Sequence, residues 1–390
     1  MRTDANNVVV EKPYRWSASL SDSELISGGI QPSLDWNSYV LFGGWLDGSQ
    51  VLHMKNSEDG STLWQWSDHL LDGESFNIRN YHVHDNLMVI SQGPRAYCID
   101  LSNGQTVWRK QTDSDLGALI KGVGDRFFLS EEITNQDGHL EAVVTAGKVL
   151  TGELQEIVRP PYNYEYVNGL NRIGSLGGIH PFIVNAGDTL IFTTYGNYLP
   201  DWKLNNFLGL YNISKKSWIY NEKAITATTL FGAGGIFNFK EKVYLQSGKS
   251  LFCYEIATGN KLWERSFSEG FSDMIVVEDK LIGNNEDRFL YAFDPDTGRQ
   301  LWKEQSSGTS SPLAYLNGVV YFTGGGDGLL HAVEVETGQH LWRIRSPDLE
   351  HNSGAWFKRH VAVVPPAKEG EKGKVLTSSY LSAFCYEAAR

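Results

Sequence analysis

Three observations predict an all-β fold, an eight-bladed β-propeller of four-stranded antiparallel blades, with seven blades as the alternative. A tryptophan returns four residues after a glycine, mostly at intervals of 39 to 48 residues. Two further strand-like runs precede each such unit. The two ends of the sequence each look like part of one more unit. The whole of residues 1–390 is then expected to be a single propeller domain.

The repeated unit justifies the first element. "LYAFDPDTGRQLWKEQ" (290–305) returns as "LHAVEVETGQHLWRIR" (330–345) and as "LFCYEIATGNKLWERS" (251–266). Trp302, Trp342, Trp263, Trp108 and Trp64 follow Gly298, Gly338, Gly259, Gly104 and Gly60. Ten residues before each tryptophan stands a compact or flexible side chain: Ala292, Ala332, Cys253, Cys98 or Met54. "FLYAFD" reads as a half-buried strand, "DPDTG" as a turn and "RQLW" as a returning strand. Each copy is therefore a hairpin, too small to be stable alone. "TAGKVLTGELQE" keeps the pattern with Ala146 and Gly152 but puts Glu156 at the tryptophan position. "LGLYNISKKSW" reads as a shortened copy ending in Trp218.

Upstream runs supply the other two strands, as in "SDMIVVEDK" and "LIGNN" before 290, or "SPLAYLNG" and "VVYFTGG" before 330. The C-terminal "YLSAFCYEAAR" carries Cys385 in the compact position, and the N-terminal "KPYRWSASL" reads as a strand carrying Trp16. The N-terminal strand, within 12–20, is expected to pair with strands within 356–390 and complete the eighth blade. Pairing the two ends removes open sheet edges.

The pattern A-x-D-x-x-T-G-x-x-x-W, as in "AFDPDTGRQLW" (292–302), resembles the tryptophan-docking repeat of the pyrroloquinoline-quinone-like propellers. That family includes quinoprotein alcohol dehydrogenases and BamB-type outer-membrane assembly lipoproteins. The resemblance implies that Trp16, Trp64, Trp108, Trp218, Trp263, Trp302 and Trp342 pack between adjacent blades as structural residues. It also implies, for the enzymes of the family, a quinone beside two adjacent disulfide-bonded cysteines and an ion held by Glu, Asn and Asp. No Cys-Cys or Cys-x-x-Cys occurs here, and Cys98, Cys253 and Cys385 all stand in the compact position. They read as small buried hydrophobes. No cofactor is therefore expected, the quinone included.

No catalytic motif stands out. The sequence lacks a G-x-S-x-G elbow and an H-E-x-x-H pair, so no catalytic residue is assigned. "TGGGDG" (323–328) lies between strands and reads as a tight turn. His82 and His84 in "YHVHD" share one face of a strand but have no third ligand, so no metal site is assigned. The calcium-loop pattern is missing. Net charge of −12 argues against a nucleic-acid partner. No apolar run is long enough for a membrane span. The start of the sequence shows no secretory leader, which points to the cytoplasm as the chain stands, or to the cell envelope if a leader has been removed.

What remains are departures from the repeat, and insertions on a rigid scaffold carry function. "GGWLDGSQ" (43–50), "RPPYNYEYVNGLNR" (159–172), "YGNYLPDWKLNN" (195–206) and "PDLEHNSGAWFK" (347–358) are expected to open on one rim as loops. They bring Trp45, Tyr162, Tyr164, Tyr166, Tyr198, Trp202, His351 and Trp356. Exposed aromatics beside Arg and Asn suit recognition of a protein, peptide or glycan. "PPAKEGEKGK" (365–374) reads as a solvated turn. The expected protein is a bacterial, monomeric, non-enzymatic binding platform or assembly scaffold. Two alternatives stay open. One is an enzyme using the central pocket, quinoprotein-type or glycan-active; the other is a surface carbohydrate-binding protein.

Overall fold

The computed structural model describes residues 9–22, 35–46, 49–68, 81–92, 95–111, 120–165, 171–183, 187–199, 203–225, 235–308, 310–357 and 360–390. These residues form eight separate four-stranded antiparallel sheets, which define an all-β, eight-bladed β-propeller. Blade 1 holds β2 (Asp35–Trp36), β3 (Tyr39–Leu46), β4 (Ser49–Asn56) and β5 (Thr62–Trp66). Blade 2 holds β6 (Tyr81–His84), β7 (Leu87–Gln92), β8 (Arg95–Asp100) and β9 (Thr106–Gln111). Blade 3 holds β10 (Lys121–Val123), β11 (Arg126–Thr134), β12 (Leu140–Lys148) and β13 (Leu154–Val158). Blade 4 holds β14 (Gly174–Ile183), β15 (Thr189–Tyr198), β16 (Leu204–Asn212) and β17 (Ser217–Ile225). Blade 5 holds β18 (Ile236–Phe239), β19 (Lys242–Ser247), β20 (Ser250–Glu255) and β21 (Lys261–Ser266). Blade 6 holds β22 (Phe271–Val277), β23 (Lys280–Asn285), β24 (Phe289–Phe293) and β25 (Gln300–Gln305). Blade 7 holds β26 (Ala314–Leu316), β27 (Val319–Thr323), β28 (Leu330–Glu334) and β29 (His340–Ile344). Blade 8 joins β30 (Val361–Val364), β31 (Lys374–Ser378) and β32 (Ser382–Glu387) to β1 (Tyr14–Ser19).

The chain divides into two compact units, one of residues 1–79 and 271–390, the other of residues 80–270. The first holds blades 1, 6, 7 and 8. The second holds blades 2 to 5.

The recurrent turn explains the recurrent letters. In 294–299 the Asp294 carboxylate accepts the N–H groups of Asp296 and Thr297, and Gly298 N–H donates to Asp294 O at 2.8 Å. Gly298 closes this turn at φ 67°, a conformation that disfavours a Cβ. Gly60, Gly104, Gly152, Gly259 and Gly338 make the same backbone bond at positive φ. The strand after the turn then carries a bulge. Ala292 pairs with Trp302 but Phe293 pairs with Gln300, and the step recurs at Cys98–Trp108, Cys253–Trp263, Ala332–Trp342, Met54–Trp64 and Cys385–Trp16.

Within each unit a bulged aromatic reaches the turn of the next blade. Trp16 Nε1 donates to Ser57 O at 3.0 Å, Trp108 Nε1 to Val149 O at 2.8 Å and Trp302 Nε1 to Val335 O at 3.0 Å. Each indole also lies against the turn glycine of that blade: a Cβ on Gly60, Gly152 or Gly338 would stand within 2.8 Å of the ring.

Blade 4 corrects the sequence reading of Trp218. Tyr220 pairs with Leu210 across the bulge, Tyr220 Oη donates to Ile256 O at 3.1 Å, and its ring covers Gly259. Trp218 stands two residues earlier, against Tyr211 and Gly209 of its own sheet and beside the core that Phe128, Val144 and Val158 of blade 3 share with Ile179 and Ile191 of blade 4, so it packs between those blades but not on the turn of blade 5. The ten-residue interval is kept by Leu210 and Tyr220, so the copy is not shortened. The turn glycine has become Lys216, which keeps the positive φ at 51°.

In blade 3 Glu156 pairs with Thr145, and no aromatic occupies its position. Trp342 packs beside Ala389, and Lys12 Nζ sits 5.6 Å from its ring while Val9 bridges to Arg343. Trp64 is buried on β5, and Trp263 is half-buried on β21. Trp16 lies in a core with Leu20, Val40, Leu376 and Cys385, so β1 is anchored to blade 8 as its outer strand through this one buried ring.

Candidate functional site

Blades 3 and 4 depart from the rest in strand length. Their β11, β12 and β14 to β17 run nine or ten residues, against five or six for most outer strands elsewhere. "YGNY" (195–198) and "NN" (205–206), expected as loop, are therefore strand residues of β15 and β16. The connection from β13 to β14 lies on these lengthened strands.

Arg159 opens that connection. The side chain of Glu141 on β12 is wholly buried, and Arg159 forms an ion pair with it and a second with Glu156 at 3.0 Å. The hydrogen bond to Glu156 is the chief reason the guanidinium holds its proton more tightly than usual. The other oxygen of Glu141 accepts the hydroxyl of Tyr164 at 2.8 Å. Tyr164 remains 51% exposed. Partial burial and then the Glu141 hydrogen bond raise its phenol pKa. A buried anion thus fixes one end of a largely exposed aromatic ring, which removes conformational freedom before any partner arrives.

Tyr162 does the opposite of what the sequence suggests. It is 5% exposed, donates to Ala142 O at 2.8 Å, and packs edge-on against Tyr195 beside Ile173. Gly174 has no Cβ because one would meet the Tyr162 ring at 2.2 Å. Tyr162 is an anchor for the connection, not a contact residue. Asn163 N–H donates to Asn197 Oδ1, and Arg172 closes the far end on Glu132 at 2.8 Å. Tyr198 is half-buried at the end of β15 and its N–H donates to Ile173 O. Tyr166 and Trp202 lie outside the described residues.

The other unit carries Trp45, His351 and Trp356. Trp45 is half-buried and belongs to β3 rather than to a loop, with its N–H on Leu20 O at 3.0 Å. The connection from β29 to β30 is held by Asp348, which accepts the hydroxyls of Ser379 and Ser382, and by buried Phe357. His351 is exposed. Trp356 lies over Gly328 and is 41% exposed.

Sequence reasoning missed Glu141, Arg159 and Arg172, because charged residues on a strand and beside it give no repeat signal. It also missed a register position. Two residues beyond the partner of each compact residue stand Gly43, Ser91, Ser130, Thr194, Gln246, Asn284, Thr323 and Ser378. Of these, Thr194, Asn284, Thr323 and Ser378 are buried. Both amide atoms of Asn284, and the hydroxyls of Thr194 and Ser378, have no hydrogen-bond partner among the described residues.

His82 and His84 also find local roles. The His82 ring packs on Gly122 and its Nε2 lies 2.8 Å from Gly124 O, while His84 faces Asp85. No group of three or more His, Cys, Asp or Glu among the described residues could hold a metal ion. The cysteines do not fit the paired-cysteine quinone site of the family's enzymes. Each is buried on a different sheet, and burial raises the thiols of Cys98 and Cys385 to about 12. No helix among the described residues is long and apolar enough to cross a membrane.

Four-stranded blades with a recurrent turn glycine and bulged aromatic make this an eight-bladed β-propeller whose repeats resemble those of the pyrroloquinoline-quinone-like propellers. The sequence model of the family described as outer membrane protein assembly factor BamB matches residues 215–390. Among solved structures, BamB from Moraxella catarrhalis is similar over 98% of this chain and 99% of its own, at 13% identity and TM-score 0.60. Saccharomyces cerevisiae Sqt1 is similar over 98% and 99%, at 12% identity and TM-score 0.63. The quinohemoprotein alcohol dehydrogenase ADHIIG from Pseudomonas putida HK5 is similar over 97% of this chain and 76% of its own, at 12% identity and TM-score 0.67. These likenesses show the fold alone. No curated protein matches the sequence.

Proposed function

We propose that this chain is a non-enzymatic binding platform that holds a protein partner on the connection between β13 and β14. The observation that carries the proposal is the exposed Tyr164 ring fixed by the buried Glu141. A tyrosine and an arginine held rigidly at a surface are the residue types that dominate protein recognition. The match of residues 215–390 to a family described as an assembly factor supports a protein as partner over a glycan. Trp356 offers a second exposed aromatic in the other unit.

The test is affinity capture with quantitative mass spectrometry, comparing wild type with Tyr164→Ala and Glu141→Gln. A protein recovered by wild type should fall tenfold or more with Tyr164→Ala. Glu141→Gln, which touches the partner only through Tyr164 and Arg159, should weaken capture by several-fold. Equal recovery by all three would sink the proposal, and so would alcohol-dependent dye reduction after incubation with quinone and calcium.

A further inference from the structure

Blade 7 holds two imidazoles that the binding platform does not use. His331 on β28 and His340 on β29 are buried, with His331 Nδ1 and His340 Nε2 3.1 Å apart. His331 Nε2 lies 3.2 Å from Asp327 Oδ2 in the turn before β28. His340 Nδ1 lies 3.3 Å from Glu304 Oε1 on β25 of blade 6. Phe322 stacks flat on His331 at 4.6 Å and closes that side. Arg343, opposite His331 in the ladder, is a further charged neighbour. Carboxylate, imidazole, imidazole and carboxylate therefore run in a line of three contacts.

Each contact needs one hydrogen between its heavy atoms. A carboxylate brings none and a neutral imidazole brings one. Two neutral imidazoles satisfy two contacts and leave the third with lone pairs facing each other. Asp327 accepts from His331 Nε2, which makes His331 Nδ1 an acceptor, so His340 donates from Nε2. His340 Nδ1 then points a bare lone pair at the Glu304 carboxylate.

We propose that Asp327, His331, His340 and Glu304 form a binding site for one proton, taken up between His340 Nδ1 and Glu304 Oε1. The bound proton completes the line and fastens the outer strand of blade 6 to blade 7; without it that contact is open. Two effects oppose each other. Burial, then His331 and Arg343, push His340 down to about 3. The Asp327 carboxylate already opposes that shift, and Glu304, facing His340 Nδ1 directly, lets the proton be shared. The site stands independently of any partner.

Glu304→Gln tests it, because the side chain is partly exposed and the amide can donate the missing hydrogen itself. Histidine-selective nitrogen-15 NMR of the full chain between pH 3 and 8 should show His340 titrating in wild type at a proton affinity tenfold or more above that in Glu304→Gln. Thermal unfolding gives a second measure. The variant should match or exceed wild type at pH 8, where its amide fills the gap, and lose that advantage only as pH drops toward 3. A titration midpoint unmoved by the variant, or a Tm difference independent of pH, would overturn the proposal.

Discussion

Replacing Gly338 by alanine tests the contact between a turn glycine and the indole of the preceding blade. Gly338 sits at φ 77°, and a Cβ there would stand 2.7 Å from Trp302 Cδ2 and Cε3. The left-handed backbone alone costs about 1–2 kcal/mol for an L residue. Overlap with a packed ring adds about 1–3 kcal/mol. Gly338→Ala should therefore destabilise by about 2–5 kcal/mol. Trp302→Ala should cost about 3 kcal/mol, near the low end for a large aromatic because the ring is only partly buried. In the double variant the overlap vanishes and the backbone strain stays. The two changes together should then cost about 1–3 kcal/mol less than their sum. Urea unfolding followed by far-ultraviolet circular dichroism measures all four corners of the cycle. Strict additivity would refute the contact, since the alanine methyl would then meet something other than the indole.

Other perturbations separate further parts of the account. Tyr162→Phe should cost about 1 kcal/mol through the lost hydrogen bond to Ala142 O, whereas Tyr162→Ala should cost about 3–5 kcal/mol; equal effects in thermal unfolding would contradict the anchoring role. Asn284→Leu should be neutral or stabilising within about 1 kcal/mol, because it removes a buried amide with no described partner; a loss of several kcal/mol would show that the amide is satisfied by something it holds. Burial, followed by the charge of Lys55, depresses His53 from 6.5 to about 4. The unfolded chain then binds this proton more readily, so stability present above pH 6.5 is lost as pH falls toward 4, and His53→Gln should flatten that stretch of the Tm profile.

The eight-bladed fold was legible because most blades repeat one turn and one bulge, so the same local chemistry is written many times. Blade 4 shows the limit. Searching for tryptophan found Trp218, but the position requires only a large ring ten residues after a core side chain, and Leu210 with Tyr220 meets that need. The dipeptide Ile219–Tyr220 carries the signal, since Leu301 before Trp302 and Leu341 before Trp342 are likewise exposed aliphatics on an outer strand. The site was legible only as a place. Tyr164 is exposed while Tyr162, two residues away, is a core residue, and no composition distinguishes them. The difference is made by Glu141, Ala142 and Gly174, which are distant in sequence from those tyrosines or silent in type. Likewise the length of β15 turned an expected loop into strand.

The binding platform is tested most directly by placing a photo-crosslinking phenylalanine analogue at position 164 and, as a control, at the exposed outer-strand position 219. The account predicts one discrete protein adduct from 164 and none from 219, and competition of that adduct by unlabelled wild-type chain. Adducts of equal yield from both positions, or none from 164, would contradict it.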